Sequence, residues 1–394
     1  MKALKNVNLI RPDGILWDAA VIWDGERIVY AGESAEADDS GCEEVADGEG
    51  KYIAPGLIDI HCHGIEEKMW VDDPVYCAER YVVHGETTVL PTYAYTNSFE
   101  SIMNSARLIR ETKDTPIGRV FRYGIYMEGP YMRLAGGNID LLAWENKIVP
   151  EEYIPLVDGL LDLTKIWAVD PDREGIEEFL KYVHKTNPEV IIALGHSVAT
   201  ADACRRIRKY GVRVRTHYGD NGLAKGRAQG TPGACGDEYT LNEKDIYAEM
   251  IVDKTGIHVV PEIAKMVINV KGPERVCLIT DGAMAQVGNV NNEAEGIWYG
   301  EDLNYDSMGF LAGSRMTLEH ACKNVMTHTG YGLCHAIRMA SLTPAELLGI
   351  DDELGSIETG KIANMILIDD KVNVHKVWLG GELAAVDGKY VLNK

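Results

Sequence analysis

The stretch GLIDIHCHG, residues 56–64, places two histidines at the end of a short apolar run. Its aliphatic residues are typical of a buried strand, and the final glycine ends that strand. Because side chains alternate along a strand, His61 and His63 are expected on the same side, with Cys62 facing the other way. Two neighbouring imidazoles at a strand end can share a cation, and they can equally be polar residues that leave a core.

Seven further apolar runs follow, and amphipathic segments such as 97–111, 175–186 and 200–210 lie between most of them. The runs are TTVLPTYA, RVFRYGIYMEG, LTKIWAVDPD, EVIIALGHS, VRVRTHYGD, AEMIVDKTGIHV and RVCLITDGA. Eight strands that alternate with helical segments predict an α/β protein with a (β/α)8 TIM-like barrel. The alternative is an open doubly wound sheet, but no run is followed by the G-x-G-x-x-G turn of its commonest dinucleotide-binding form.

The two ends of the chain have another pattern. Short strand-like runs separated by turn residues fill residues 1–55, and similar runs return in residues 356–394. This alternation of strands and turns is typical of β-hairpins. It predicts a small β-sandwich domain formed by both chain termini, with the barrel domain in residues 56–355.

The bulk composition is that of a globular protein. Hydrophobic residues make up 46% of the 394 residues and charged residues 25%, which are ordinary values for soluble domains. The length suits one large domain and a smaller one. The formal net charge of −22 disfavours general nucleic-acid binding, because that function needs a basic surface.

Cysteine usage and hydropathy bear on the compartment. None of the eight cysteines belongs to a C-x-x-C pair, and the first residues, MKALKNVNLIRPDG, contain no long apolar segment of the kind found in signal peptides. No stretch approaches the roughly 18 apolar residues of a membrane span. We therefore expect a cytoplasmic protein in a reducing compartment, with no membrane partner.

Side chains that can bind a metal follow five of the eight predicted strands. They are His61 and His63 after the first run, Glu128 after the third, His196 after the fifth, His217 after the sixth and Asp281 after the eighth. Each alone has an ordinary structural explanation, but the carboxyl ends of barrel strands meet at one mouth. Imidazole and carboxylate suit zinc, iron, manganese or cobalt. The pattern therefore predicts a divalent metal site there.

Two further features lie at or near the ends of the predicted strands. His258, in GIHVVP after the seventh run, is expected to face the same mouth and to contact a substrate. In VRVRTHYG, strict alternation puts Arg213 and Arg215 on the same face as His217. Two arginines inside a barrel need carboxylate partners, or a bulge that changes the register.

Eight segments of the sequence together resemble a known family. In order and spacing, and over essentially the whole chain, they are similar to the amidohydrolase superfamily and, within it, to the N-acetylglucosamine-6-phosphate deacetylases. The segments are APGLIDIHCHG, MEGPYM, LGHSVAT, THYGDNG, GIHVVP, LITDGAMA, LAGSRMTLEHA and LGSIETGKIANMILID.

The resemblance implies a metal-dependent hydrolase of a linear amide bond, a deacetylase of N-acetyl amino-sugar 6-phosphates. In that family Glu128, His196 and His217 correspond to the metal ligands. His61 and His63 allow a second ion that shares Glu128, so one or two ions are expected, most simply zinc. Asp281 corresponds to the general base and acid, and we count it among the metal-site residues as well.

The resemblance also implies how the substrate is held. Arg227 and His258 correspond to the phosphate-binding pair, and Asn221 and Gly222 to residues that donate backbone amides. An arginine fork suits a phosphate group. The expected partners are a small-molecule substrate and a second copy of the chain, since the family is often dimeric.

The sequence departs from the family in the substrate region. Where the family has a Lys-Gly-Ala-His element that touches the sugar, this chain has MRLAGGNID after its third strand. A different N-acyl sugar, or an N-acyl amino acid, is therefore an alternative substrate of the same chemistry. A non-catalytic scaffold is a further alternative, disfavoured because all six candidate ligands are present.

Overall fold

The computed structural model describes residues 1–133, 143–144, 147–220, 233–284, 302–306 and 309–392. The chain begins with five strands, β1 (Lys2–Arg11), β2 (Gly14–Asp24), β3 (Arg27–Glu33), β4 (Glu44–Asp47) and β5 (Tyr52–Pro55). The first three pair antiparallel in sequence, whereas β4 and β5 each pair with β1 in parallel. The sequence interpretation of this segment as strands and turns is confirmed.

The middle of the chain supplies a second sheet of eight strands. Its strands, and the small hairpin formed by β7 and β8, are β6 (Leu57–Cys62), β7 (Gly64–Ile65), β8 (Lys68–Met69), β9 (Glu86–Ala94), β10 (Ile125–Glu128), β11 (Thr164–Val169), β12 (Ile191–Leu194), β13 (Val212–Arg215), β14 (Tyr247–Ile251) and β15 (Val276–Ile279). Every pair of neighbours among the eight is parallel, in the order β15-β14-β13-β12-β11-β10-β9-β6.

The first and last strands of this sheet lie side by side, so the barrel is nearly closed. The backbone N–H of Asp281 donates to the carbonyl oxygen of His61 at 2.9 Å, and the N–H of His63 donates to Gly282 at 2.6 Å. Both bonds lie at the carboxyl ends of the strands. The closure therefore brings the end of β15 directly beside the two histidines of β6.

Helices connect the strands on the outside. They are α1 (Pro74–Val83), α2 (Phe99–Thr112), α3 (Pro150–Gly159), α4 (Ile176–Thr186), α5 (Ala201–Ile207), α6 (Gly236–Asn242), α7 (Pro261–Lys271), α8 (Leu318–Thr329), α9 (Leu333–Met339) and α10 (Leu342–Leu348). Side-chain caps begin several of them: Ser98 accepts from the N–H of Ser101, and Asp73 from that of Tyr76. None of the helices within the described part of the chain is long and apolar enough to cross a bilayer.

The remaining strands are β16 (Leu303–Tyr305), β17 (Leu311–Ser314), β18 (Met365–Ile368), β19 (Val374–Leu379), β20 (Glu382–Val386) and β21 (Lys389–Tyr390). The first two form an antiparallel pair beside the barrel mouth, and the other four extend the sheet of the amino-terminal strands. β18 pairs antiparallel with β5, from Met365 opposite Pro55 to Ile368 opposite Tyr52. Both chain ends thus build one nine-stranded sheet.

The two sheets have separate hydrophobic cores. The larger core joins the barrel strands to the surrounding helices, and the smaller one packs residues of both termini, including Leu9, Trp23, Ile53 and Leu367. The (β/α)8 barrel with an additional sheet from both termini is therefore confirmed. The boundaries of the two domains, after residues 55 and 355, stay a prediction.

Candidate active site

Six side chains converge at the carboxyl end of the barrel. They are His61, His63, Glu128, His196, His217 and Asp281, and all six are buried. Their donor atoms form two groups, His61 with His63, Glu128 and Asp281, and Glu128 with His196 and His217. Within each group the donor atoms lie within 4.8 Å of one another. The structure therefore brings together, around one centre, the residues that the sequence placed at five strand ends.

Glu128 belongs to both groups. Its Oε1 lies 3.1 Å from Nε2 of His196 and 3.2 Å from Nε2 of His217. Its Oε2 lies 3.0 Å from Nε2 of His63 and 3.6 Å from Nε2 of His61. Each carboxylate oxygen thus faces a different pair of histidines, an arrangement suited to bridging two cations.

The donor atoms fit a divalent cation. Nε2 of His196 and Nε2 of His217 are 2.9 Å apart and converge on the same carboxylate oxygen. Nε2 of His61 is buried and has no hydrogen-bond partner among the described residues. Several imidazole nitrogens directed at shared carboxylate oxygens are the donor set of transition-metal sites. The donor set therefore suits a divalent cation, as the sequence predicts.

The protonation of the carboxylates also suits a cation. Burial raises the pKa of the Glu128 carboxyl, but His61 and the other histidines hold that pKa well below its usual value. Burial also raises the pKa of the Asp281 carboxyl. The hydrogen bond from His63, together with the charges of His61 and His63, outweighs this effect and keeps the pKa of Asp281 below its usual value. Both carboxylates are therefore anionic while the neighbouring histidines carry protons, and a bound cation would displace those protons.

Two of the six residues have an unusual backbone conformation. The φ angle is +26° at His217 and +46° at Asp281, in the left-handed region that residues other than glycine seldom adopt. Such strain is found at functional sites, where the surrounding structure enforces it. At both positions the side chain belongs to the buried cluster.

Cys62 does not join the cluster. Its buried sulfur accepts a hydrogen bond from Nε1 of Trp70 at 3.2 Å, on the other side of β6. The side chain therefore faces the core, as alternation along the strand predicts.

A cavity of about 270 Å³ opens above the cluster. Its floor is formed by the candidate ligands His63, Glu128, His196, His217 and Asp281, and its walls by Met69, Ala94, Tyr95, Thr96, Asn97, Asp220, Ala283, Met284, Leu311, Ala312 and Gly313. Walls of mixed polarity around a polar floor suit a small polar molecule with an apolar group attached.

Of the residues predicted to bind the phosphate group of the substrate, the structure describes only His258. Asn221, Gly222 and Arg227 lie outside the described residues, as do residues 134–140 of the segment that replaces the sugar-contacting element. His258 is buried, its backbone N–H donates to Oδ2 of Asp253 at 2.9 Å, and Nδ1 lies 3.4 Å from the same oxygen. It is not among the described residues that line the cavity, so its contact with substrate stays a prediction.

Sequence reasoning missed Glu249, which lies in the middle of β14. Its Oε2 is 3.0 Å from Nδ1 of His61 and accepts the backbone N–H of His217 at 3.3 Å. The signal was present in AEMIV, where a carboxylate interrupts an apolar strand. A charged residue inside a barrel strand needs a partner there, and its place beside two candidate ligands makes it part of the site.

Comparison with known proteins agrees with this geometry. Residues 52–384 match the model of the amidohydrolase family. An N-acetylglucosamine-6-phosphate deacetylase of Haemophilus influenzae is 28% identical over 386 residues, which cover 94% of this chain and 96% of that protein. An N-acetylgalactosamine-6-phosphate deacetylase of Shewanella sp. (strain ANA-3) is 30% identical over 340 residues, or 84% of this chain and 82% of that protein.

The fold is shared with solved structures as well. The crystal structure of N-acetylglucosamine-6-phosphate deacetylase from Pasteurella multocida superposes with a TM-score of 0.83 at 25% identity, covering 98% of this chain and 99% of that one. The corresponding protein from Mycobacterium smegmatis superposes with a TM-score of 0.80 at 22% identity, covering 98% and 100%. The barrel and the terminal sheet are thus both present in these proteins.

Proposed function

The chain belongs to the amidohydrolase family, and from this membership and the geometry of the barrel mouth we propose that it is a metal-dependent deacetylase of N-acetyl amino-sugar 6-phosphates. The reaction is the hydrolysis of N-acetylglucosamine 6-phosphate to glucosamine 6-phosphate and acetate. The observation that carries the proposal is the position of Glu128, whose two oxygens face two separate pairs of histidines. One carboxylate therefore organises all the other candidate ligands.

The metal centre is proposed to hold one or two divalent ions, with zinc as the first choice and iron, cobalt or manganese as alternatives. Glu128, His196 and His217 would hold one ion, and His61, His63 and Asp281, together with Glu128, would hold the other. A divalent cation bound here supplies Lewis acidity toward the acetyl carbonyl and makes water acidic enough to be a nucleophile near neutral pH.

Asp281 is the proposed proton carrier. Its Oδ1 lies 3.1 Å from Nε2 of His63, at the floor of the cavity. The oxygen of water forms a bond to the carbonyl carbon, and Asp281 accepts the proton that water loses. The C–N bond then breaks, and the same carboxyl group returns the proton to the amine nitrogen, which is a poor leaving group without it.

The proposed substrate has a 6-phosphate. Arg227 and His258 are proposed to bind it, with the backbone amides of Asn221 and Gly222. Support comes from the relatives, whose names share an N-acetyl amino-sugar 6-phosphate although the sugar differs. The chain lacks the Lys-Gly-Ala-His element of the family, which favours, as the second candidate, the same chemistry on a different N-acyl sugar or on an N-acyl amino acid.

Two expectations from the sequence complete the proposal. The active form is a homodimer, which light scattering on the purified protein checks. The protein works in the cytoplasm, which cell fractionation checks.

The function is tested by acetate release. The purified protein is loaded with zinc and given N-acetylglucosamine 6-phosphate, N-acetylgalactosamine 6-phosphate, unphosphorylated N-acetylglucosamine and an N-acetyl amino acid. We expect turnover of a phosphorylated sugar and no comparable turnover of the other two compounds. Turnover of only the unphosphorylated compounds would move the assignment to the second candidate, and no hydrolysis by the metal-loaded protein would contradict both.

A further inference from the structure

Glu249 is a buried carboxylate that touches two of the candidate ligands without facing the cavity. It is fully buried on β14, and it is not among the described residues that line the cavity. Its Oε2 lies 3.0 Å from Nδ1 of His61, and the same oxygen accepts the N–H of His217 at 3.3 Å. One oxygen atom thus contacts one histidine from each half of the centre.

The contact with Glu249 determines the tautomer of the His61 imidazole. A carboxylate at Nδ1 accepts a hydrogen bond, so the proton of a neutral imidazole resides on Nδ1. The lone pair of Nε2 is then directed toward Oε2 of Glu128 and Oδ1 of Asp281, each 3.6 Å away. With the opposite tautomer, Nε2 would carry a hydrogen and could not bind a cation.

His61 differs in this respect from two of the other ligands. Nδ1 of His63 and Nδ1 of His217 are buried and have no hydrogen-bond partner among the described residues. The carboxylate therefore supports the imidazole ring of His61, while it supports only the backbone of His217. Its influence is expected to be strongest in the half of the centre formed by His61, His63 and Asp281.

We propose that Glu249 is the positioning residue that makes His61 a cation ligand, so that it controls occupation of the half-site formed by His61, His63 and Asp281. This inference rests on the proposed metal centre and goes beyond it. A hydrogen-bonded carboxylate behind a histidine ligand orients the ring and raises its basicity, and losing it weakens metal binding by roughly 10–100-fold.

The test compares Glu249→Gln, Glu249→Leu and a control, Glu86→Gln. Glu86 is an equally buried carboxylate at the start of β9, where it accepts the N–H of Leu318 at 2.6 Å. Within the described part of the chain, no hydrogen bond joins Glu86 to a candidate ligand. Each protein is stripped of metal and titrated with zinc. The readouts are ions bound per chain by mass spectrometry, affinity by competition with a chelator, and the melting temperature of the metal-free protein.

For the wild type and Glu86→Gln we expect two ions per chain. Glu249→Leu is expected to bind one ion with unchanged affinity and the other roughly 10–100-fold more weakly. Glu249→Gln keeps an oxygen that accepts from Nδ1, so it is expected to recover much of that loss. Recovery by the amide would indicate positioning of the ring rather than a need for negative charge.

Three results would overturn the inference. In the first, Glu249→Leu binds both ions as the wild type does. In the second, it weakens both ions equally and lowers the melting temperature of the metal-free protein, which would indicate a structural role. In the third, the wild type never takes a second ion. Each leaves the proposed function standing, because that function fails only if the wild type binds no metal or releases no acetate.

Discussion

Arg215 and Asp237 form a buried ion pair beneath the loops that carry two candidate ligands. Nε of Arg215 donates to Oδ1 of Asp237 at 2.6 Å. Its Nη1 also donates to the carbonyl oxygens of Leu194, Gly195 and Thr216, at 2.8 to 2.9 Å. Since Gly195 and Thr216 immediately precede His196 and His217, the guanidinium ties together the ends of β12 and β13.

Replacing Arg215 by Met is therefore expected to lower the free energy of unfolding by about 3–5 kcal/mol, because it leaves a buried carboxylate and several carbonyl groups without their donor. Urea denaturation at fixed zinc concentration measures the change. Arg213→Met is the matched control, since Arg213 lies on the same strand and is exposed, and a change within about 0.5 kcal/mol is expected there. Equal losses in the two variants would contradict the role of the pair.

This pair also shows where sequence reasoning stops. Alternation placed Arg213 and Arg215 on one face, but the pairing of β12 with β13 shifts by one residue between Ile192 and Ala193. That irregularity leaves Arg213 exposed and Arg215 buried. Both explanations considered from the sequence, a bulge and a carboxylate partner, thus apply. The partner is in α6, and only the tertiary structure brings it there.

The strands and the six candidate ligands, by contrast, were predictable because their signals are local. An apolar run that ends in a polar residue close to a glycine indicates the end of a strand, and eight such runs separated by helical segments indicate a barrel. Glu249 lacks this strand-end signal, because it interrupts its strand instead of ending it. Its pairing with His61 joins residues 188 positions apart, a contact that depends on closure of the barrel.

Asp281→Asn is expected to lower kcat by roughly 10²–10⁴-fold, because an amide cannot accept the proton of water. Asparagine tolerates the left-handed backbone conformation at this position, so the fold should survive. Acetate release at saturating substrate measures kcat, and thermal melting with bound zinc checks the fold. A folded variant that retained half of the wild-type kcat would remove Asp281 from the proposed chemistry.

Removal of metal is expected to abolish hydrolysis and to lower the melting temperature. A ligand that binds only the folded state stabilises it, by about 2.7 kcal/mol when its free concentration is 100 times its Kd. Dialysis against a chelator, followed by addition of zinc, should remove and then restore both activity and stability. His196→Ala should show a smaller rise in melting temperature with zinc than the wild type. Full activity after complete removal of metal would rule out the proposed centre.

Gly313, on β17 in the cavity wall, allows a test of the position of Asp281. Gly313 has a φ angle of +71°, and a Cβ added there would lie 2.5 Å from the backbone oxygen of Asp281 and 3.6 Å from its carboxyl carbon. Gly313→Ala must therefore displace the residue proposed to carry the proton. A displacement of about 1 Å can cost as much as 10²-fold in rate, so we expect a clear fall in kcat.

Gly330→Ala separates this displacement from backbone strain. Gly330 ends α8 with a φ angle of +78°, and a Cβ there would meet no described atom within 4 Å. Gly330→Ala is expected to cost about 1–2 kcal/mol of stability, because alanine is strained in the left-handed region. Gly313→Ala is expected to cost at least as much, because its Cβ also meets the backbone of Asp281. Only Gly313→Ala should also lower kcat, measured well below the melting temperature of both variants. If the two variants lost activity in parallel, stability alone would explain the effect and the proposed position of Asp281 would lose its support.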